Sequence, residues 1–514
     1  MPETVAFELN GRPATVPDDG GSLLDALRER LGVRSVKDGC SPQGQCGCCT
    51  VLIDGAPRVA CVTPVARVAG RAVTTVEGLA DADRWAEAFS ATGASQCGFC
   101  TPGIIVRLAA THQPVDQALL AHLCRCTGWQ TIREAAVLSV SRSLENLRGR
   151  QTSVKREGAE RRAAIEGRTP QRVGPEIALG GGGFADDTAP PDALVAVRAA
   201  NGAWVVGETL AEARAASGRV PGRRSTVGLR WPLELPPGAW ARTLRTTWVE
   251  PAYLELDASW CQPGGEPVSP LANGGAFGGK LSSEVGAVAR RLAGEHGRPV
   301  CVVLSREDVV RLGPKRPPVA AGVRADGTGV VRVVRTPGIA AAITSAGPGL
   351  DVEEVEVAGP RTSAALRGAG WAEASVLRAA LSAGPDRITT PDGAMAEATV
   401  TAAGVALRVR AGAPLDTVVL RSYCIGAAHM ALGWVRSEGI AVDAEGEPQD
   451  LTIRSFGILR AVDMPAVDVE IEPDDGPPVN GSDAVFAAVA AAAWRHEGFP
   501  PDWPVRRSGY GRSP

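Results

Sequence analysis

The stretch that decides the fold is residues 40–61, CSPQGQCGCCTVLIDGAPRVAC, where a glycine-containing loop leads into a hairpin. Plant-type [2Fe–2S] sites use a Cys-x4-Cys-x2-Cys loop and a distant fourth cysteine. Here five residues, one more than usual, separate Cys40 from Cys46. Glycine lets the backbone wrap around a cluster and direct N–H groups at its sulfides. We interpret Cys40, Cys46, Cys49 and Cys61 as the ligands of one [2Fe–2S] cluster.

Two other interpretations of this stretch are weaker. A zinc site usually pairs two CxxC arms, whereas this loop has only the pair Cys46 and Cys49. Four unrelated buried thiols would not need such regular spacing. Cys48 is interpreted as small apolar filling, because neighbouring residues in a tight loop direct their side chains apart.

A second cysteine set follows further along the chain. The motif QCGFCTPG contains Cys97 and Cys100, and the motif LCRCTGW contains Cys124 and Cys126. Both motifs lie where helices are expected to begin, and free N–H groups at helix N-termini stabilise anions. A thioredoxin-like CxxC is the alternative, but it lacks a βαβ context and leaves the CxC pair unexplained. The four thiols predict a second [2Fe–2S] cluster.

The flanking sequence predicts an α+β fold in several parts. Residues 1–78 alternate hairpins with one helix, the pattern of a β-grasp, ferredoxin-like domain. Residues 79–147 have helical periodicity and predict a compact helical cluster-binding domain. Residues 191–514 mix short Val-rich strands with helices, among them a predicted strand at Leu451–Arg460.

Residues 148–190 are predicted to be a linker. Much of this segment is charged and has few large apolar residues, which is typical of a solvated tether with few contacts across the domain boundary. The expectation that follows is that residues 1–147 fold on their own. The glycine run at 180–183 is expected to be a loop, because no βαβ unit surrounds it as a dinucleotide site would require.

Composition limits the classes of function. The chain has 514 residues and a formal net charge of -3, which gives no electrostatic case for nucleic-acid binding. The N-terminus has no signal-peptide pattern, and the longest apolar run is too short to span a bilayer. Dense cysteines in a cytosolic protein indicate metal rather than disulfides. We therefore expect a cytoplasmic metalloprotein that binds neither nucleic acid nor membrane.

The cysteine motifs resemble those of the molybdenum hydroxylases, a family that includes xanthine dehydrogenases, aldehyde oxidoreductases and the iron–sulfur subunit of aerobic carbon monoxide dehydrogenases. The resemblance covers residues 1–147 nearly continuously. One departure is the spacing from Cys100 to Cys124, which is shorter than in the family and requires shortened connecting helices. The resemblance implies two [2Fe–2S] clusters that pass electrons to an external acceptor, such as a flavoprotein subunit or another redox protein.

The region 191–514 resembles a shortened form of the family's molybdopterin-binding part. NGGAFGGK at 273–280 resembles its GGxFGGK loop, and LRGAG at 366–370 resembles its RGFG loop. A glycine-rich loop with Asn273 and Lys280 would suit a phosphorylated cofactor, although a plain strand–turn–helix connection fits the same residues. The cofactor contacts that the resemblance implies are Gln96, Gly275, Phe277, Gly278 and Arg367.

The family's general base, a glutamate near the C-terminus, has no direct counterpart. In the matching stretch, DDGPP, Gly476 occupies the glutamate position, and Gly has no side chain that could take a proton. Asp475 is the nearest carboxylate and the candidate catalytic residue. Because Asp475 is one residue away, on the other side of an extended segment, we expect little hydroxylase turnover.

Two hypotheses follow from these motifs. The first is a single-chain molybdenum-hydroxylase-type oxidoreductase that passes electrons from a molybdopterin site through two clusters, alone or with a second molybdenum subunit, as a monomer or an oligomer. The second is a non-catalytic electron-transfer or assembly protein that binds two clusters and no molybdenum. The shortness of region 191–514, about half of what the family uses, leaves both open.

Overall fold

A computed structural model describes residues 4–141, 153–219, 222, 227–269, 275–382 and 386–505. The N-terminal part is a five-stranded mixed sheet in which the first hairpin pairs in parallel with the last strand. Its strands are Thr4–Leu9, Arg12–Pro17, Thr50–Ile53, Ala56–Val59 and Ala72–Thr74.

The single helix of this part begins just after Ser22, which caps it. The Ser22 side chain accepts from the Asp25 backbone N–H while the Asp25 carboxylate accepts from the Ser22 N–H, which is a capping box. The α-helix Leu23–Asp25 continues as a π-helical turn, Ala26–Arg30. Apolar residues of the helix and the sheet form one buried core, which also contains the cysteines of the loop.

The next part is helical, and 3₁₀ turns at Ala60–Val62, Val65–Val68 and Val76–Gly78 lead into it. The helical periodicity of residues 79–147 predicts helices here, and the first of them is Ala82–Thr92. The LCRCTGW motif also predicts a helix over residues 127–147; it begins only at Gln130, and residues 142–147 lie outside the described part of the chain. The helices are Ala82–Thr92, Thr101–Ala109, Val115–Ala118 with a 3₁₀ turn at Leu119–Ala121, and Gln130–Ser139.

Three further sheets, each mixed, build the C-terminal region. The first has the strands Trp204–Gly207, Leu194–Arg198, Val300–Val303 and Ala258–Cys261. The second has Leu350–Val355, Gly329–Val334, Val319–Val323, Arg242–Thr246 and Asp502–Trp503. The third has Asp386–Thr389, Met395–Thr401, Gly404–Arg410 and Val467–Ile471. The predicted α+β class is confirmed.

Two long helices form the centre of the C-terminal core, Thr417–Arg436 and Gly481–His496. Thr417–Arg436 is long and apolar enough to cross a membrane, but 89% of its apolar window is buried inside the protein. It therefore serves here as a core helix. The shorter helices are Pro175–Ala178, Ala185–Thr188, Leu210–Ser217, Val285–His296, Arg306–Leu312, Ile339–Thr344 and Trp371–Ala379.

The segment predicted to be a solvated linker is instead packed into the protein. It contains the helix Ser153–Gly167, whose Arg162 and Glu166 side chains form an ion pair with 0% exposure on both sides. Glu166 accepts from the backbone N–H groups of Gly481 and Ser482, at the start of a core helix. The high charge of the segment wrongly predicts exposure to solvent, because Arg162 and Glu166 are buried and have hydrogen-bond partners in the C-terminal region.

One strand prediction in the C-terminal region is wrong. Residues 451–460 form no strand in the structure; they contain a 3₁₀ turn at Ile453–Phe456, and another 3₁₀ turn follows at Ala461–Asp463. Both Ile453 and Phe456 are buried. Alternation of apolar and polar residues predicts a strand, but here it reflects burial of single side chains in an irregular segment.

Candidate iron–sulfur sites and the molybdopterin-like region

The four thiols predicted to hold the first cluster lie together. The Cys40 thiol is within hydrogen-bonding reach of the thiols of Cys46 and Cys61, and Cys61 also reaches Cys49. These hydrogen bonds hold the pKa of Cys40 well below its usual range and raise the pKa values of Cys46 and Cys61. The backbone N–H groups of Gln43 and Gln45 donate to Cys40 Sγ at 3.3 and 3.5 Å.

The second predicted set also converges. Cys126 Sγ lies 3.6 Å from Cys97 Sγ, and the Cys100 and Cys124 thiols are within hydrogen-bonding reach of each other. Hydrogen bonding from Cys100 lowers the pKa of Cys124 to about 6. All four side chains are buried.

This donor set fits binuclear clusters. Four cysteines hold two irons in a [2Fe–2S] cluster, which gives each iron two thiolates. Within the described residues, no three His, Cys, Asp or Glu side chains surround a single point as they would for one ion, and all twelve cysteines are free thiols. When bound, such clusters supply one-electron transfer. The protein's own part is to position the thiols and to exclude water.

Cys48 belongs to neither predicted set, but its thiol lies within hydrogen-bonding reach of Cys46. It is 1% exposed, and a Cβ atom built on Gly39 would lie 3.2 Å from the Sγ atoms of both Cys46 and Cys48. The thiol therefore sits beside the first set, and it is also close enough to interact electrostatically with Cys124 of the second. Its place between the two sets was not expected from the sequence.

The C-terminal region holds the loop that carries Cys124 and Cys126. Arg125, between these cysteines, donates to Glu438 through Nη1 at 2.5 Å and Nη2 at 2.9 Å, and to Pro251 O through Nε at 2.9 Å. Trp129 Nε1 donates to Leu459 O at 3.0 Å. Our sequence reasoning missed Arg125 and Glu438, although a cation inside a CxC pair was a usable signal.

Two of the residues implied to bind a pterin lie against the second cysteine set. Gln96 Nε2 donates to Cys126 O at 3.1 Å and to Ser422 Oγ at 2.9 Å, while Gln96 Oε1 is buried without a partner. A Cβ atom on Gly275 would lie 3.3 and 3.4 Å from the Sγ atoms of Cys97 and Cys126. Of these groups, only Gln96 Oε1 is a buried acceptor that a bound ligand could satisfy.

The other implied pterin contacts form a separate group, whose members contact one another and neighbouring protein residues. The Arg367 backbone N–H donates to Phe277 O at 3.1 Å, and its guanidinium carbon lies 3.9 Å from the Phe277 ring centroid. Arg367 Nη2 also donates to Ser482 Oγ at 3.2 Å. Gly278 abuts the backbone carbonyl of Ala365 so closely that a Cβ atom would collide with it. The Arg367 guanidinium therefore covers one face of the Phe277 ring.

The remaining predicted residues are not brought to this group as a cofactor site would need. Lys280, 1% exposed at its side chain, pairs with Glu255 at 2.8 Å and is therefore not a free phosphate ligand. Asn273 lies outside the described residues. Asp475 is exposed and lines none of the cavities beside Phe277.

The described residues leave little space for a pterin at these positions. A cavity of about 20 Å³ lies beside Gln96, one of about 40 Å³ beside Phe277 and Arg367, and one of about 20 Å³ beside Gly278. Pockets for organic ligands and cofactors measure roughly 300–1,000 Å³. A larger cavity of about 570 Å³ lies next to Gly368, and none of the implied contacts lines it.

The segment that follows the buried pair Arg162 and Glu166 lines two of the small cavities. Gln171 and Gly174 line the cavity beside Gln96, and residues 167–169 line the one beside Gly278. Tyr423 Oη donates to Gln171 Oε1 at 2.7 Å. The chain's own segment thus fills the space between the two groups of implied contacts, and the residues present do not fit a pterin there.

Comparison with known proteins agrees with the cysteine geometry. The family model described as a 2Fe-2S iron-sulfur cluster binding domain matches residues 7–66, and the model described as a [2Fe-2S] binding domain matches residues 75–137. The chain therefore carries two [2Fe–2S] clusters.

Curated relatives match the same N-terminal part. The chain is 36% identical over 151 residues to the nicotinate dehydrogenase small FeS subunit of Eubacterium barkeri, covering 27% of this chain and 96% of the relative. It is 37% identical over 145 residues to the xanthine dehydrogenase iron-sulfur-binding subunit of Escherichia coli O157:H7, covering 25% of this chain and 91% of the relative.

A solved structure matches along the whole chain. The aldehyde oxidoreductase of Desulfovibrio gigas aligns with a TM-score of 0.73 and 14% identity, covering 98% of this chain and 99% of that one. At this identity the match shows the fold alone, and it extends the likeness from the cysteine domains to the C-terminal region. The subunit relatives and the two cluster domains show that the chain is an iron–sulfur oxidoreductase and belongs to the molybdenum hydroxylase family.

Proposed function

We propose that this chain is an electron-transfer protein in which the molybdopterin-like region is a non-catalytic cover for the second cluster. Electrons enter from a separate redox partner, pass between the two clusters, and leave to an external acceptor. The C-terminal region positions the CxC loop and excludes water from it. No cofactor other than the clusters has a role in this proposal.

The observation that carries the proposal is the filled space between Gln96 and Gly278. The implied pterin contacts border cavities of about 20–40 Å³, and residues 167–174 line two of them. The helix that leads into this segment is held by the buried pair Arg162 and Glu166. Displacing this helix together with the segment would break that pair and its bonds to Gly481 and Ser482, which is costly for buried charges.

The partners and the location are parts of the same proposal. Because the matched relatives are named as subunits, we propose that this chain works beside another redox protein, which could be a molybdenum subunit. Twelve buried free thiols suit a reducing compartment, so we propose a cytoplasmic location.

One observation favours a second candidate, a molybdenum-loaded oxidoreductase. Gln96 Oε1 is buried without a partner, and buried polar atoms of this kind are usually satisfied by a ligand or water. A cofactor that displaced residues 167–174 would satisfy it. This candidate requires a rearrangement, whereas the first requires none.

Reductive titration of the holoprotein separates the two candidates. We expect dithionite to deliver two electrons per chain, one for each cluster, with no further uptake. We also expect no bleaching of the clusters by purines or aldehydes under anaerobic conditions. Uptake of more than two electrons, or cluster reduction by either substrate class, would support the molybdenum-loaded candidate instead.

A further inference from the structure

We infer that a cavity beside the first cluster loop binds a small, planar, partly apolar organic anion that accepts electrons. The cavity measures about 320 Å³, large enough for a bicyclic molecule, and Ser41 and Pro42 form part of its wall. Ser41 directly follows the predicted ligand Cys40. The inference rests on the proposed electron-transfer function and names the class of acceptor.

The cavity lies where ligands commonly bind in sheets with parallel strands. Leu194–Arg198 and Val300–Val303 pair in parallel, and Val197, Arg198, Val303 and Leu304, at or just beyond their carboxyl ends, line the cavity. Ligands bind outside the carboxyl ends of such strands because the chain leaves the sheet there and opens a crevice.

The other walls tie the cavity to the cluster loop. Arg214 lines it and donates to Asp38 Oδ2 at 2.7 Å and Ser41 Oγ at 3.0 Å. Glu307 also lines it and accepts from Gln43 Nε2 at 2.8 Å. A ligand here would therefore contact the loop that holds Cys40 while the C-terminal region encloses it.

Three arginines and two carboxylates line the cavity, and one of these carboxylates, Glu307, accepts from Gln43 Nε2 and the Gly222 N–H. Arg214 pairs with Asp38, and Arg219 pairs with Asp308. Among the residues that the structure describes, Arg198 is half-buried and has no acidic partner within 4 Å. An unpaired guanidinium beside the apolar side chains of Val197 and Leu210 favours an acidic group on a partly apolar ligand.

A quinone that carries an acidic group is a ligand of this class, and its reduction by the chain balances in electrons and protons. The reduced chain holds two electrons, one per cluster. A quinone that takes both electrons and two protons from solvent becomes the hydroquinone, and the chain returns to its oxidised state. No other oxidant is needed.

Equilibrium dialysis of the oxidised holoprotein with naphthalene-2-sulfonate, a redox-inert bicyclic anion that does not react with thiols or amines, tests this site. We expect one bound molecule per chain, and about ten-fold weaker binding in Arg198→Gln, the size expected when one hydrogen bond to a charged group is lost. Ala215→Trp, which fills the cavity from an exposed helix position, should abolish binding. Arg290→Gln removes an exposed arginine elsewhere and is the matched control.

The outcomes distinguish this inference from the proposed function. Absence of binding, or equal binding in the wild type, Arg198→Gln and Ala215→Trp, would overturn the inference. Because the dialysis uses oxidised protein, its result does not depend on where the electrons come from. Molybdenum in the protein would therefore contradict the proposed function and leave this measurement readable.

Discussion

Arg125 and Glu438 form a bidentate ion pair, with N–O distances of 2.5 and 2.9 Å, that joins the second cluster loop to the C-terminal region. Both side chains are nearly inaccessible, at 4% and 2% exposure. Burial raises the pKa of Glu438, and the Arg125 guanidinium opposes that rise. Each buried charge therefore neutralises the other. Because Arg125 lies between two predicted ligands, we expect the second cluster to depend on the C-terminal region.

We expect Glu438→Gln to destabilise the protein by about 3–5 kcal/mol, because it leaves the Arg125 charge buried and uncompensated. The second cluster should become labile while the first is retained. Denaturant unfolding and iron content measure the two effects. Glu470→Gln, at an exposed pair with Arg408, is the control and should change neither. Equal effects of the two substitutions would show that the Arg125 pair has no special role.

Cys48→Ala should leave both clusters in place, whereas Cys46→Ser and Cys49→Ser should each remove the first. Ala fits the buried Cys48 position and removes only a thiol, while Cys46 and Cys49 have the CxxC spacing of ligands. Iron analysis and electron paramagnetic resonance of the reduced protein distinguish the variants. Loss of iron in all three would mean that the ligand assignment is wrong.

A fragment of residues 1–147 should fail to hold the second cluster. The sequence predicts that it folds alone, but in the structure Trp129 donates to Leu459 O, and the Glu134 carboxylate accepts from Arg421 at 2.7 and 2.8 Å. Removal of the C-terminal region exposes these contacts to water. Iron per chain should therefore fall from four to two at most. A soluble fragment with both clusters would restore the original expectation.

The acid side of the stability curve should depend on His429. Burial lowers its pKa to about 4, and its Nε2 lies 2.9 Å from Leu459 O. Between about pH 6.5 and pH 4 the unfolded chain binds a proton that the folded chain does not, so stability falls as the pH falls.

Replacement of His429 by Gln should flatten this dependence, by about 2 kcal/mol between pH 7 and pH 5. Urea unfolding at the two pH values, with iron content checked at each, is the measurement. His296→Gln, at an exposed position, should leave the dependence unchanged. An unaltered slope in His429→Gln would place the acid sensitivity elsewhere.

The cysteine motifs were predictable because ligand spacing is local. Cys97 and Cys100 lie three residues apart, and the geometry of a helix start brings them together without reference to the rest of the chain. The same holds for Cys46 and Cys49. The fold class followed from hairpin and helix patterns for a similar reason, since each element depends on a few neighbouring residues.

The filled molybdopterin-like region was not predictable, because it depends on contacts between distant segments. Arg162 and Glu166 are charged and four residues apart, a pattern usually found on an exposed helix face. Their burial becomes clear only when the carbonyl of Pro414 and the N–H groups of Gly481 and Ser482 are brought beside them. The glycine-rich loop at 275–280 has the family's sequence pattern, but the sequence does not show that Lys280 pairs with Glu255.

Metal analysis of the full chain, purified from a host that makes the molybdenum cofactor, tests the central claim most directly. Two [2Fe–2S] clusters and a filled molybdopterin-like region predict four irons per chain and no molybdenum. A known molybdenum hydroxylase produced in the same host controls for cofactor supply. One molybdenum per chain alongside four irons would contradict the account, because it would show that residues 167–174 give way to the cofactor.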